Sequence, residues 1–187
     1  GTNTLHNVAN NVTLTAGNLT MNDVTGANHN VIVTTGTLVM NDAVNDVTLN
    51  GGTATINDIG RDLLMTADAT ATVKGDIVRN TTTAASNKLT LEAGTSTGDV
   101  TNLGQIYITG NREFKHAMTT PGAMEVQGSG VDLTFSTADH GMDTIVLTTD
   151  QTDQKNDIII STDQTLTAAT KIGTSDNQFG NVVFSAA

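Results

Sequence analysis

Three stretches decide the fold. They are Val12-Thr13-Leu14-Thr15-Ala16-Gly17-Asn18-Leu19-Thr20-Met21-Asn22-Asp23-Val24, Val31-Ile32-Val33-Thr34-Thr35-Gly36-Thr37-Leu38-Val39-Met40-Asn41-Asp42-Ala43 and Val47-Thr48-Leu49-Asn50-Gly51-Gly52-Thr53-Ala54-Thr55-Ile56-Asn57-Asp58-Ile59. They share one pattern: apolar-x-apolar-x-x-Gly-x-apolar-x-apolar-Asn-Asp-apolar, at offsets of 19 and 16 residues. Each copy holds two short runs in which apolar and polar residues alternate, the period of a strand with one buried face. The Gly between the runs suits a corner, because it tolerates positive φ. The Asn-Asp pair is also turn chemistry, through side-chain bonds to the local backbone. One copy cannot bury its apolar face alone; stacked copies bury a continuous core.

Looser copies continue the pattern. Leu63-Leu64-Met65 leads to Val73-Lys74-Gly75-Asp76-Ile77, and Leu89-Thr90-Leu91-Glu92-Ala93-Gly94 leads to Gly98-Asp99-Val100. Ile106-Tyr107-Ile108, Leu133-Thr134-Phe135, Ile145-Val146-Leu147, Ile158-Ile159-Ile160 and Val182-Val183-Phe184 follow as single strands. The expectation is an all-β parallel β-helix, or β-solenoid, in one domain over residues 1–187. Its coils are irregular, 16–23 residues long, more regular over 8–110 and less so over 111–187. An antiparallel β-sandwich also shows short strands at this spacing, but its strands have no reason to resemble one another. The solenoid demands a parallel ladder; the sandwich demands hairpins.

Composition agrees. The chain has 36 Thr, 19 Asn, 18 Gly and 16 Asp, nearly half of 187 residues, with one Pro and three Glu. Thr favours strands, and Asn, Asp and Gly favour turns. Only four Phe and one Tyr are present, so the core must be rows of small branched side chains. The formal charge is −11 and the eight Lys and Arg form no cluster, which argues against nucleic acid as a partner. There is no Cys, hence no disulfide or thiolate chemistry. No apolar run approaches the ~20 residues of a transmembrane helix.

The tail Thr170-Lys171-Ile172-Gly173-Thr174-Ser175-Asp176-Asn177-Gln178-Phe179-Gly180-Asn181-Val182-Val183-Phe184 resembles the Ile-Gly-Thr…Gly-x-Val-x-Phe units of rickettsial surface-antigen autotransporters. The resemblance implies a bacterial β-helical passenger, secreted and displayed at the cell surface as an adhesin or coat. That family's translocator barrel, a C-terminal set of amphipathic strands with aromatic girdles, has no counterpart here.

The residues that carry chemistry elsewhere are scattered. His6, His29, His116 and His140 show no zinc-ligand spacing. No Gly-x-Ser-x-Gly elbow occurs. Arg61, Arg79 and Arg112 recur at coil-like spacing, so two of them are expected to stack on one face near Asp62 or Asp76. Structural ion pairs explain them as well as catalysis does, and no catalytic residue or enzyme activity is assigned.

The turn aspartates Asp23, Asp42, Asp58, Asp76 and Asp99 are expected to form one ladder. Carboxylates ~4.8 Å apart repel unless a cation or an amide intervenes. Asp23, Asp42 and Asp58, together with Asp150, Asp153 and Asp157 of an acidic stretch, are therefore candidate calcium ligands. The alternative is Asx-turn residues without metal. Thr-x-Thr pairs (Thr13/Thr15, Thr53/Thr55, Thr70/Thr72, Thr165/Thr167) raise an ice-binding face, but they skip coils and so fall short of a regular array.

The strand pattern starts by Val8 or Val12 and runs to Val182-Val183-Phe184 with no capping helix. Head-to-tail stacking into a fibre or surface layer is expected from such ends. The expected function is an extracellular structural or adhesive protein whose partners are its own copies or a cell-surface ligand. Loops 78–87 and 111–123 would be presented to them. The alternative is a carbohydrate-binding or carbohydrate-cleaving β-helix.

Overall fold

In the computed structural model, the described residues are 1–136, except 27, 103, 117, 121–123 and 128–129, and the segments 141–142, 144–147, 157–160, 171–172 and 181–184. All named elements are strands, arranged in three parallel sheets. The first has ten strands, from Thr2–Leu5 and Asn18–Met21 through Thr37–Ala43, Gly52–Ile59, Ala69–Val73, Lys88–Leu91 and Gln105–Ile108 to Lys171–Ile172. The second has eight, among them Val12–Leu14, Val31–Val33, Val47–Leu49, Leu63–Met65, Thr81–Thr83 and Val100–Asn102. The third has five: Gly94–Ser96, Arg112–Phe114, Leu133–Phe135, Asp157–Ile160 and Asn181–Phe184. It extends a row of single parallel bridges, Val8–Val24–Ala43 and Ile59–Ile77–Ser96.

Every strand pair is parallel. The chain is therefore a parallel β-solenoid, and the sandwich with its hairpins is ruled out. Side-chain hydrogen bonds between adjacent coils span 16 to 23 residues, while the coil from Ile145 to Ile172 is longer than expected. At the usual spacing of ~4.8 Å per strand, ten strands rise roughly 43 Å.

Register turns the sequence repeat into columns. Leu19, Leu38, Ala54, Ala71, Leu89, Ile106 and Met124 lie one above another, all buried. Met21, Met40, Ile56, Val73, Leu91, Ile108 and Val126 form the next inward column. Val12, Val31, Val47 and Leu63 line the second sheet. Each Val, Leu, Ile or Met among them adds on the order of 1.5–3 kcal/mol when fully buried, and Ala54 and Ala71 add less.

Glycine makes the corner before the first sheet. Gly17, Gly36 and Gly52 have φ of +88°, +98° and +76°. A Cβ on Gly36 would lie 2.2 Å from the carbonyl oxygen of Gly17. Backbones stack so closely here that no side chain fits, whatever its conformation. Two coils later the corner falls at Asn87, and its side chain turns inward. Asn87 is 1% exposed; its Nδ2 donates to the Met65 carbonyl (2.7 Å) and its Oδ1 accepts from the Ala69 N–H (3.1 Å). Asn45 does similar work in an earlier coil, donating to the carbonyls of Gly26 and His29.

Two expectations about local structure are corrected. Asn41-Asp42 and Asn57-Asp58 lie inside the extended strands Thr37–Ala43 and Gly52–Ile59, not in turns. Two consecutive outward residues bend the strand around the corner without breaking the ladder. Nor are 78–87 and 111–123 simple loops. Thr81–Thr83 is a strand of the second sheet with Thr81 and Thr83 buried, and Arg112–Phe114 is a strand of the third with Arg112 and Phe114 buried.

Candidate functional site

The outward side of the first sheet is the most regular surface of the molecule. Its first column reads Thr2, Asn18, Thr37, Thr53, Thr70 and then Lys88. Its second reads Thr4, Thr20, Val39, Thr55, Thr72 and Thr90. Asn41 and Asn57 stand in a third, and the Asn57 amide reaches the Asn41 Oδ1 at 3.5 Å. The first-column residues and Thr4, Thr20 and Val39 are exposed; Thr55 and Thr72 are half-buried between their neighbours.

The Thr-x-Thr pairs skip two coils of this sheet, as expected, but the residues in those coils complete the array. Thr2/Thr4, Asn18/Thr20, Thr37/Val39, Thr53/Thr55 and Thr70/Thr72 occupy five consecutive coils of one sheet. Asn-x-Thr and Thr-x-Val fill the rungs that a search for Thr-x-Thr leaves empty. Val has the shape of Thr, so the array stays level. Thr13 belongs to another surface, the second sheet, where it stacks on Ile32, Thr48 and Leu64. Thr165 and Thr167 lie outside the described residues.

The corner aspartates form two ladders rather than the one expected. The first contains Asp23, Asp42, Asp58 and Asp76. Asp23 Oδ1 accepts from the Asp42 N–H (3.4 Å), Asp58 Oδ1 from the Asp76 N–H (2.6 Å) and Asp76 Oδ1 from the Thr95 N–H (2.7 Å). Burial pushes the Asp42 carboxyl above its ordinary range. The Asp58 and Asp23 carboxylates push the same way, and a hydrogen bond from the Asp58 backbone pulls it back. Asp99 belongs to the second ladder, at the entry to the second sheet. There Asn11 Oδ1 accepts from the Asn30 N–H, Asp46 from Asp62, Asp62 from Asn80 and Asn80 from Asp99.

These bonds change the calcium argument. The structure stacks Asp23, Asp42 and Asp58, but their carboxylates are engaged by backbone N–H groups of the following coil, an amide in place of a cation. Among the described residues no group of three or more His, Asp or Glu side chains is placed to hold a metal ion. Asp157 opens the strand Asp157–Ile160 and faces Asn181. It does not join the Asp23 column, which continues through Thr95, Glu113 and Thr134. Asp150 and Asp153 lie outside the described residues.

The arginines separate. Arg61 and Arg79 are adjacent along one corner, where the Arg79 N–H reaches the Arg61 carbonyl (3.3 Å), and Arg61 pairs with Asp46 at 3.5 Å. Arg112 is 1% exposed and points into the solenoid. Its guanidinium donates to the Gly75 carbonyl, the Thr95 carbonyl (3.2 Å) and the Ser96 hydroxyl (2.9 Å). Burial lowers its pKa to about 10, opposed by Asp76 and Asp58. Sequence spacing put this arginine on a face; small Ser96 directly beneath Phe114 is the signal that the interior has room for it. Phe114 and Phe135 stack with centroids 5.5 Å apart, but both are buried, so they form core and no sugar platform.

The histidines serve separate places. His29 Nδ1 lies 2.8 Å from the Thr25 carbonyl, and His116 lies 3.7 Å from Asp99. His6 is exposed and His140 is outside the described residues. No described helix is long and apolar enough to cross a membrane.

No protein-family model matches the chain, and no curated protein or solved structure matches it. Fold and surface therefore define it only as a parallel β-solenoid with an ordered Thr/Asn/Val array that is uncharged over five coils.

Proposed function

We propose that the chain is an extracellular structural and adhesive scaffold, a stiff acidic rod that holds a flat neutral face against an ordered surface. The observation that carries this reading is the five-coil array on the first sheet. Short β-branched side chains on a parallel ladder lose little entropy on contact, because χ1 is already restricted and the backbone is fixed. Acidic corners keep the rod soluble and apart from other anionic rods. Display at a bacterial surface rests on the resemblance of the Thr170–Phe184 tail to autotransporter passengers.

Head-to-tail stacking belongs to the same proposal. Thr2–Leu5 is exposed along its whole length. Beside it a recess of about 450 Å³ is lined by Leu5, Val8, Val12, Leu14 and Leu19 together with Asn3, Thr4, Asn11 and Thr13. Thr2–Leu5 pairs with Asn18–Met21 on one side only, and its other edge is a template for a further coil, which a second copy of this chain supplies.

The test presents labelled full chain to a panel of ordered solids, namely ice, crystalline cellulose, silica and hydroxyapatite. Retention on at least one solid, lost in Thr55→Lys, is expected. Retention on none, or retention indifferent to that change, overturns the adhesive reading. Electron microscopy at high concentration tests stacking, and strictly single particles overturn it.

A further inference from the structure

We infer that the ordered surface this face fits is ice. The inference rests on the adhesive reading and names its partner. The array repeats every ~4.8 Å along the solenoid axis and every ~6.7 Å along the strands. Both repeats come within about a tenth of the spacings of water oxygens on a prism face of hexagonal ice, a gap that side-chain rotation on a twisted sheet can close.

The chemistry suits a water lattice. Each Thr offers a methyl group, around which water orders, and a hydroxyl that both donates and accepts. The Asn18, Asn41 and Asn57 amides add donors and acceptors at the margins. An ionised side chain would orient water around itself and break the pattern. In a protein with formal charge −11, the five rungs from Thr2/Thr4 to Thr70/Thr72 hold no charge. The array ends where Lys88 enters the first column.

The other partners fit less well. Sugar surfaces are gripped by exposed aromatic rings, and these rungs carry none; Tyr107 enters the second column only after Thr90. A second copy of this chain would cover roughly 20 Å by 13 Å of the face. That is about 260 Å², against the ~800 Å² per partner of a stable complex.

The experiment uses the full chain, frozen slowly against a growing ice hemisphere, with recrystallisation inhibition read in parallel. Wild type is expected to enter the ice and arrest grain growth. Thr55→Lys, in the fourth of the five rungs, is expected to raise the half-inhibitory concentration at least tenfold. Thr82→Lys, exposed on the second sheet, is expected to behave as wild type, and circular dichroism checks that both variants fold. Exclusion of wild type from ice, or equal behaviour of the two variants, overturns the inference. Retention on cellulose or mineral without ice entry overturns it and leaves the adhesive reading standing; retention on no solid overturns both. A Thr55→Lys-sensitive dimer in sedimentation, without ice entry, assigns the face to a second copy instead.

Discussion

Asn87→Ala tests how a solenoid mends a corner that glycine does not make. Asn87 satisfies two buried backbone groups at once, the Met65 carbonyl at 2.7 Å and the Ala69 N–H at 3.1 Å. Truncation to Ala strands the Ala69 N–H beneath a coil that shuts out water, while the Met65 carbonyl keeps its bond from the Ala84 N–H (3.0 Å). A stranded buried group costs about 1–3 kcal/mol, so the loss should fall in that range. The backbone bonds of residue 87, from its N–H to Ala84 and from the Gln105 N–H to its carbonyl, survive the change. The corner therefore persists and the m-value should hold. Urea unfolding followed by circular dichroism reads the effect. With m in the range of about 2–3 kcal/mol/M, the midpoint should fall by roughly 0.5–1 M. Asn87→Asp sharpens the test. It keeps the acceptor for Ala69 but sets a carboxylate against the Met65 carbonyl, so its deficit should shrink in acid. A loss below about 0.5 kcal/mol in Asn87→Ala, at unchanged m, would refute the claim that this side chain closes the corner.

Four further outcomes follow from the same geometry. Gly36→Ala, with φ at +98° and a new Cβ 2.2 Å from the Gly17 oxygen, should cost about 2 kcal/mol or more in the same unfolding assay. Thr81→Val should be neutral or stabilise by up to about 1 kcal/mol, because the buried Thr81 hydroxyl has no partner among the described residues and its column-mates on either side are Leu63 and Val100. Arg112→Met should cost about 2 kcal/mol or more by stranding the Gly75 carbonyl and the Ser96 hydroxyl, while the Thr95 carbonyl keeps its bond from the Ile77 N–H, and Arg112→Lys should not restore it, since an ammonium cannot fork to all three acceptors. Asp42 has a folded pKa raised above 3.8, so its stabilising contribution is full below that value and is lost as pH rises through the raised one. Asp42→Asn should accordingly raise the melting temperature at neutral pH and flatten the acid limb of its pH profile.

Much of this architecture is legible in the sequence because side-chain direction in a strand has period two. The Leu-x-Met of Leu19–Met21 and Leu38–Met40 and the Ala-x-Ile of Ala54–Ile56 announce one inward pair per coil, and Gly17, Gly36 and Gly52 announce the corner. What the sequence hides is which surface a residue joins. Thr13/Thr15 and Thr53/Thr55 look alike, yet Thr13 sits on the second sheet and Thr53 on the first. Asn18-x-Thr20 and Thr37-x-Val39 do not look like Thr-x-Thr, yet register puts them in its array. Asp99 reads like Asp76 but heads a different strand, so it belongs to a different ladder. Arg112 defies reading for another reason. A buried cation depends on three acceptors contributed by Gly75, Thr95 and Ser96, and nothing local to Arg112 reveals them.

The corner ladders also give the rod a sense of direction. In each such bond the side-chain oxygen belongs to the earlier coil and the N–H to the later one, from Asn11 to Asn30, Asp23 to Asp42, Asp62 to Asn80 and Asn111 to Asp132. Within the described coils the ladder therefore has a polarity: a coil laid on the later side meets side-chain oxygens, and one laid on the earlier side meets backbone N–H groups. A coil that continues the ladder must enter with the same chain direction as its neighbour, so the corners as well as the strands specify parallel stacking.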